Sequence, residues 1–357
     1  METGAAWQNS ADASDSRVTF GYDYVADGVP EAPNTRSNDL PRTGFKLESN
    51  LSTDDFRQNL FFADPILLSP VNENFSGNYR LRFDAWSNLD TNAYYNQNRF
   101  ATSEWIGGGV RYEPSDSIFD DRGVRIQGKS DGDFDIAWNL YNNGSRVDDA
   151  DTFIGDAESQ IPYFADFLPS TFAPSSQLGN NVGPSPVGTP AFRWLTYELA
   201  ITGDTVEITL EREDGERLPI AELTLAEEAL DDPRTILLLY YDGYGPSFPP
   251  NPNLQFGLID NVVVDRLIVR GDFNESGQVE QGDLNLVLNN WGSVRGFEDG
   301  LSDFATNNVD QEELNAVLNN WGSSAVPDPQ GFDIPEPVWS IAALGFVGAA
   351  VRRRGQR

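Results

Sequence analysis

The stretch Tyr79-Arg80-Leu81-Arg82-Phe83-Asp84-Ala85-Trp86 alternates apolar and charged residues for most of its length. A strand sends successive side chains to opposite faces, so this period of two predicts a half-buried β-strand. Tyr79, Leu81, Phe83 and Ala85 then share one face, and Arg80, Arg82 and Asp84 the other. Further along, Tyr197-Glu198-Leu199-Ala200-Ile201 is joined through Gly203-Asp204 to Val206-Glu207-Ile208-Thr209-Leu210. Glu213-Asp214-Gly215 turns the chain toward Leu218-Pro219-Ile220-Ala221-Glu222-Leu223, which predicts a three-strand antiparallel meander. Ile236 to Tyr241 is apolar on both faces, as a buried strand requires. Only Leu223 to Leu230 carries a brief helical pattern.

Strand-like segments of this kind fill residues 16–269, separated by Pro- and Gly-rich stretches at 169–190 and 244–252. The expectation is a mainly β chain whose large part is an antiparallel sandwich or jelly roll with exposed loops at its ends. Tyr79–Trp86, Trp194-Leu195-Thr196-Tyr197-Glu198-Leu199 and Ile259-Asp260-Asn261-Val262-Val263-Val264 resemble strands of concanavalin-like and laminin-G-like domains. Residues 1–15 are expected to be disordered.

Near the C-terminus a unit of about thirty residues occurs twice. The first copy runs Gly271-Asp272-Phe273-Asn274-Glu275-Ser276-Gly277-Gln278-Val279-Glu280-Gln281-Gly282-Asp283-Leu284 and ends Val287-Leu288-Asn289-Asn290-Trp291-Gly292. The second ends in the same six residues, Val317 to Gly322. Calcium takes six to eight oxygen ligands, which a short acidic loop can supply. Counting from Asp272, side-chain oxygens recur at Asn274 and Ser276, and Gly277 falls where the chain must turn sharply. Gln278 would offer its backbone carbonyl, Glu280 could act through water, and Asp283 closes the loop at the start of a helix. Leu284, Val287, Leu288 and Trp291 recur at helical spacing as one apolar face, and Gly292 is placed to end the helix.

The segment before this loop, Leu258 to Val269, is rich in β-branched residues and reads as a strand, not as the incoming helix of an EF-hand. A calcium loop followed by one helix, with Asp closing the loop, resembles a type I dockerin repeat over residues 270–323. The resemblance implies Ca2+ as cofactor, an all-α module and a cohesin-like partner. The second copy keeps the helix and departs in the loop. Asp303, Asn307, Asp310 and Glu313 can be aligned as a weaker site, but Ala305 stands where Asn274 supplied oxygen, and no glycine matches Gly277.

After a Pro- and Asp-containing linker at 324–334 come Pro335-Glu336-Pro337, an apolar stretch from Val338 to Val351, and Arg352-Arg353-Arg354. This order resembles the PEP-CTERM sorting signal of Gram-negative bacteria and planctomycetes. It implies export to the cell surface or outside it, processing by an exosortase, and membrane contact through residues 335–357 alone. The arginines suit the cytoplasmic side, and the apolar run, folded as a short hydrophobic helix, is brief for a permanent span of about 20 residues. Met1-Glu2-Thr3-Gly4-Ala5-Ala6-Trp7 has no basic, apolar leader, so an exported chain is expected to begin further upstream.

Composition narrows the chemistry. Among 357 residues there is no cysteine and no histidine, which excludes disulfides, zinc–thiolate sites and histidine-based triads. The net charge of −32 repels nucleic acid and anionic lipid surfaces. Glucanases of the laminarinase type carry alternating carboxylates on one strand, and Asp133-Phe134-Asp135-Ile136-Ala137-Trp138 comes nearest to that pattern without its glutamates. Candidate glycan contacts are Trp86, Trp105, Trp138 and Trp194, with Tyr94 and Tyr95, although strand-borne aromatics more often pack in a core. The preferred reading is a non-enzymatic, exported protein whose sandwich binds glycan or matrix polysaccharide. The alternatives are a polysaccharide-degrading enzyme or its cohesin-docked subunit, and a repeat pair that serves only as a spacer.

Overall fold

The computed structural model describes residues 7–9, 16–35, 43–49, 51, 65–71, 73–92, 95, 104–111, 122–131, 137–147, 163–177, 182–225, 235–242, 254–274, 276–292, 309–324, 326–327 and 332–333. In chain order the strands are β1 (Trp7–Asn9), β2 (Ser16–Tyr22), β3 (Gly44–Ser49), β4 (Ile66–Pro70), β5 (Tyr79–Asn88) and β6 (Glu104–Arg111). There follow β7 (Gly123–Lys129), β8 (Trp138–Asn142), β9 (Ser145–Arg146), β10 (Trp194–Thr202), β11 (Thr205–Arg212) and β12 (Arg217–Thr224). The series closes with β13 (Thr235–Asp242), β14 (Phe256–Ile268), β15 (Val326–Pro327) and β16 (Phe332–Asp333). Between β14 and β15 lie two helices, α1 (Gln281–Asn289) and α2 (Gln311–Asn319).

All named pairings are antiparallel, in two sheets ordered β12-β11-β10-β5-β14-β3-β2 and β1-β4-β13-β6-β7-β8-β9. The expected mainly β sandwich is therefore present. The alternating stretch lies in β5, at the centre of the first sheet. Its inward residues Leu81 and Phe83 join Ile106, Trp138, Tyr197 and Leu238 in the core between the sheets. Phe83 stacks on Tyr197 at 4.9 Å, and a Cβ on Gly108 of β6 would lie 2.7 Å from the Phe83 ring. Glycine at that position lets the two sheets close over a large aromatic pair.

The outward residues of β5 form ion pairs across the first sheet. Arg80 meets Asp265 at 2.5 Å and Glu198 at 3.3 Å, and Arg217 meets Glu198 at 2.5 Å. The expected meander is β10, β11 and β12, with Leu199 opposite Ile208 and Ile208 opposite Ala221. Pro219 is tolerated because β12 is the last strand of its sheet, where a missing N–H costs no ladder bond on the open side.

Two expected boundaries are corrected. Residues 7–9, assigned to a disordered start, pair with β4, Trp7 lying opposite Pro70. The reason is local: the Trp7 ring meets Phe45 edge-on at 5.0 Å. The expected linker also contains paired strands, with Val263 opposite Asp333 and Leu267 opposite Pro327. β3 pairs with β14 only from Gly257 to Ile259, which leaves the far end of this long strand an open edge for β15 and β16 to fill. The chain thus leaves the first sheet at β14, forms both helices, and returns to the same strand. Of the helical pattern at 223–230, Leu223 and Thr224 belong to β12, and 226–230 lie outside the described residues. The apolar stretch 338–351 also lies outside them.

Candidate calcium loop and sandwich surface

The loop before α1 is organised by two buried carboxylates. Asp272 accepts hydrogen bonds from the amides of Ser276, 2.9 Å, and Gly277, 2.7 Å. Asp283, wholly buried, accepts from Phe273 at 2.7 Å and Asn274 at 3.0 Å on one oxygen, and from Glu280 at 2.8 Å on the other. The Asn274 side-chain Oδ1 takes the Ser276 amide at 3.0 Å, and the Ser276 hydroxyl donates to the Gln278 backbone carbonyl at 3.1 Å. Gly277 has a φ of 87°, in the left-handed region that a side chain disfavours. Beneath the loop, Phe273, Val279, Val287, Val309, Ala316 and Val317 make a small separate core.

These donors fit a hard cation. Asp272, Asn274, Ser276, the Gln278 carbonyl, Glu280 and Asp283 supply oxygen alone, which suits Ca2+ rather than a softer transition metal. Among the described residues no group of three or more Asp or Glu side chains is arranged to hold a metal by itself. Calcium here would therefore draw on neutral oxygens and water as well as on charge, which places a loop of this kind toward weaker affinity.

The loop is seated on the sandwich. Asn78, just before β5, donates to Asp272 at 3.4 Å and accepts from the Gly203 amide of the β10–β11 turn at 2.7 Å. A Cβ on Gly277 would lie 1.7 Å from the Thr202 methyl, and one on Gly203 would lie 2.9 Å from the Ser276 carbonyl oxygen. Two glycines thus permit backbone contact between loop and turn.

The second copy repeats the helix closely. Gln281 donates to Asn285 at 3.1 Å and Gln311 to Asn315 at 3.0 Å. Asn290 and Asn320 each donate to the carbonyl four residues back, both at 2.8 Å. The copies also exchange bonds: the Gly292 amide meets the Val309 carbonyl and the Gly322 amide the Val279 carbonyl, both at 2.8 Å. That reciprocity is a local two-fold relation. Glu313 accepts from the Asp310 amide at 2.7 Å, in the place of the Asp283–Glu280 bond. Asp303 and Asn307 lie outside the described residues. The expected apolar helix face is only half covered: Val287 is buried, whereas Leu288 and Leu318 are 53% exposed and Trp291 and Trp321 49%.

The four tryptophans proposed for glycan are interior. Trp138 stacks on Phe164 at 5.1 Å and donates to the Gly188 carbonyl at 2.8 Å. Trp86 and Trp194 lie on the outer face of the first sheet with Tyr24 and Phe256, under the chain segments around Val29 and Ala191. The Trp194 indole donates to the Pro30 carbonyl at 2.7 Å. Trp105 stacks on Tyr241 at 6.0 Å over the outer face of the second sheet. Tyr95 is exposed and its hydroxyl donates to the Pro184 carbonyl at 3.1 Å, while Tyr94 lies outside the described residues. So do Asp133, Asp135, Pro335, Glu336, Pro337, Arg352, Arg353 and Arg354.

Two buried acids of the sandwich are electrostatically perturbed. Burial raises the Asp84 pKa, opposed by hydrogen bonds from Thr196 at 2.6 Å, Asn261 at 2.7 Å and Asn34 at 2.7 Å. Burial, then the charges of Asp242 and Asp131, push Glu104 well above the usual carboxylate range. A raised carboxylate can be a general-acid signature. Glu104 is fully enclosed, so no substrate could reach it in this conformation.

No protein-family model and no curated protein matches the chain. Among solved structures it is similar to the carbohydrate-binding module CBM66 from Bacillus subtilis, at 7% identity and a TM-score of 0.33, covering 74% of this chain and 98% of that one. It is similar to the exoplasmic/lumenal domain of VIP36 in its Ca2+-bound form, at 10% identity and a TM-score of 0.34, covering 58% of this chain and 75% of that one. It is also similar to peanut lectin with a nine-residue peptide, at 9% identity and a TM-score of 0.33, covering 68% and 93%. With every TM-score below 0.5, function has to be argued from this chain's own residues.

Proposed function

We propose that this chain is an exported, non-enzymatic glycan-binding protein whose sandwich is displayed and stabilised by a calcium-binding, dockerin-like repeat pair. The observation that carries the calcium part is the enclosure of Asp272 and Asp283 by five backbone amides in an all-oxygen loop. Amides converging on an anion fix its position before the ion arrives, so little order has to be gained on binding. Because the same loop is tied to Asn78 and Gly203, calcium would stiffen the seam between helices and sandwich as well as the loop itself.

Export, exosortase processing and membrane contact through residues 335–357 rest on the resemblance of the C-terminal signal. A cohesin-like partner, if one is used, would find two matched apolar pairs exposed: Leu288 with Trp291, and Leu318 with Trp321. Thermal melting of the full chain with calcium and with EDTA tests the calcium part. Calcium should raise the midpoint by mass action, since it binds the folded loop alone. Asp272→Ala should remove that rise, and identical melting in calcium and EDTA would sink this part of the proposal. A glycan array tests the sandwich, run beside reducing-sugar release, where turnover of any polysaccharide would establish the enzyme alternative instead.

A further inference from the structure

Three distant segments meet in a cleft of about 380 Å³ on the sandwich: residues 169–171, the start of β10, and the turn between β11 and β12. Two of its walls are arginines, Arg193 and Arg212. Arg212 is committed: it pairs with Asp214 and with Glu216 at 2.7 Å, and donates to the Phe167 carbonyl at 3.0 Å. Arg193 donates one Nη2 hydrogen to the Pro169 carbonyl, while its Nε is buried without a partner and it forms no ion pair with a described residue.

The surroundings of Arg193 are unusual for a chain of net charge −32. Burial and then Arg212 lower its pKa to about 10, and Glu213 opposes them less strongly. Of the two carboxylates that line the cleft, Asp214 is paired with Arg212 and Glu213 holds the Trp194 amide at 2.9 Å. The residue before it, Phe192, is buried with a φ of 60°, a backbone conformation a bulky side chain rarely adopts. Its amide is held by the Ser87 carbonyl at 2.9 Å, so the strained turn that delivers Arg193 into the cleft is fixed from below. Phe172, next in the chain to Thr171 of the wall, is 68% exposed.

We propose that this cleft binds an anionic sugar, a uronic acid residue of an extracellular polysaccharide, with Arg193 taking the carboxylate and Phe172 the apolar ring face. The assignment rests on the glycan-binding reading of the sandwich and adds the place and the ligand class. A planar guanidinium fork matches a carboxylate in geometry, and a half-buried guanidinium with no ion pair among the described residues gains from one. Phe172 is the large apolar residue nearest in the chain to this wall that lies open to a partner.

Calorimetric titration of the full chain in excess calcium tests this, with a panel of oligouronates, their carboxyl-reduced neutral counterparts and sulfated versions of the latter. The oligouronates should bind at least about tenfold more tightly than the neutral sugars, the scale of one charge-assisted hydrogen bond. Arg193→Gln should remove that preference, Arg193→Lys should restore part of it, and Phe172→Ala should weaken binding of the uronates while leaving calcium-dependent melting unchanged. Unaltered uronate affinity in folded Arg193→Gln, or a preference for the neutral or sulfated sugars, would overturn the cleft assignment and leave glycan binding intact. Failure of every glycan on a broad array would overturn both.

Discussion

Asp283 and Glu104 are both wholly enclosed, yet the first is surrounded by donors and the second by other acids. Three backbone amides point at Asp283. Glu104 accepts from the Gln255 side chain at 2.6 Å, and its other oxygen is buried without a hydrogen-bond partner among the described residues. Asp242 lies directly opposite it in the β13–β6 ladder, where like charges repel. Burial penalises a carboxylate's charge wherever it occurs, and what differs between the two sites is the set of local donors. A loop whose amides converge can hold carboxylates ready for a cation. A ladder whose amides are spent on strand pairing cannot, and Glu104 is pushed toward its neutral form.

The largest expected effect removes the anion from the loop. Asp283→Ala leaves the amides of Phe273, Asn274 and Glu280 without their acceptor. At ~1–3 kcal/mol for each buried donor left unmet, the loss should reach about 3 kcal/mol or more in chemical unfolding. The calcium-dependent rise should vanish with it. Retention of that rise would move the ion elsewhere and undo the contrast.

Next in size is the seating of the loop. Gly277→Ala combines an unfavourable φ of 87° with a Cβ 1.7 Å from the Thr202 methyl. Gly322→Ala meets a similar φ of 77° with nothing within 4 Å. The second should cost only the left-handed penalty of ~1–2 kcal/mol, and the first at least about 1 kcal/mol more. Equal losses would mean that the loop does not press on the β10–β11 turn.

The loop was legible because the residues that build it are neighbours in sequence, and β5 because its alternation needs no tertiary information. The rest depends on distant segments. Trp86 shares the outward face of β5 with Arg80 and Arg82, which marks it as exposed until the chain around Val29 and Ala191 covers it. β1, β15 and β16 have only two or three residues, too few to show a period, and form because an edge of β4 or β14 awaits them. Arg193 has no signal at all in sequence, since its cleft joins segments some twenty residues apart on either side. Symmetry of the two helices was visible as a repeated ending, but not that half of the shared apolar face would stay open.

Glu104→Gln should act with the opposite sign to Asp283→Ala. Its folded pKa is raised, so the stability tied to its proton is fully present at low pH and lost as pH rises through that folded value. Glutamine keeps the acceptor for Gln255 and removes the titration. Stability near neutral pH should rise by ~1 kcal/mol, the scale of one buried polar change, and the gap to the parent should close in acid. A gap independent of pH would show that Glu104 is not repelled by Asp242 and Asp131 as described.

The smallest effect on stability belongs to an acid in water. Glu280 is exposed at the start of α1, where its side chain accepts from the Asp283 backbone amide, a bond that a glutamine oxygen can keep. Glu280→Gln should change stability in EDTA by less than about 0.5 kcal/mol. In calcium the outcome differs, because each carboxylate near a divalent ion adds attraction that a neutral amide lacks, and affinity follows ligand charge. The dissociation constant, read by titration with a fluorescent calcium competitor, should rise severalfold. An acid that is silent in the empty loop and audible only through the ion is what separates a cation site from a loop whose carboxylates merely tie down its backbone. Unchanged affinity would take Glu280 out of the ligand set.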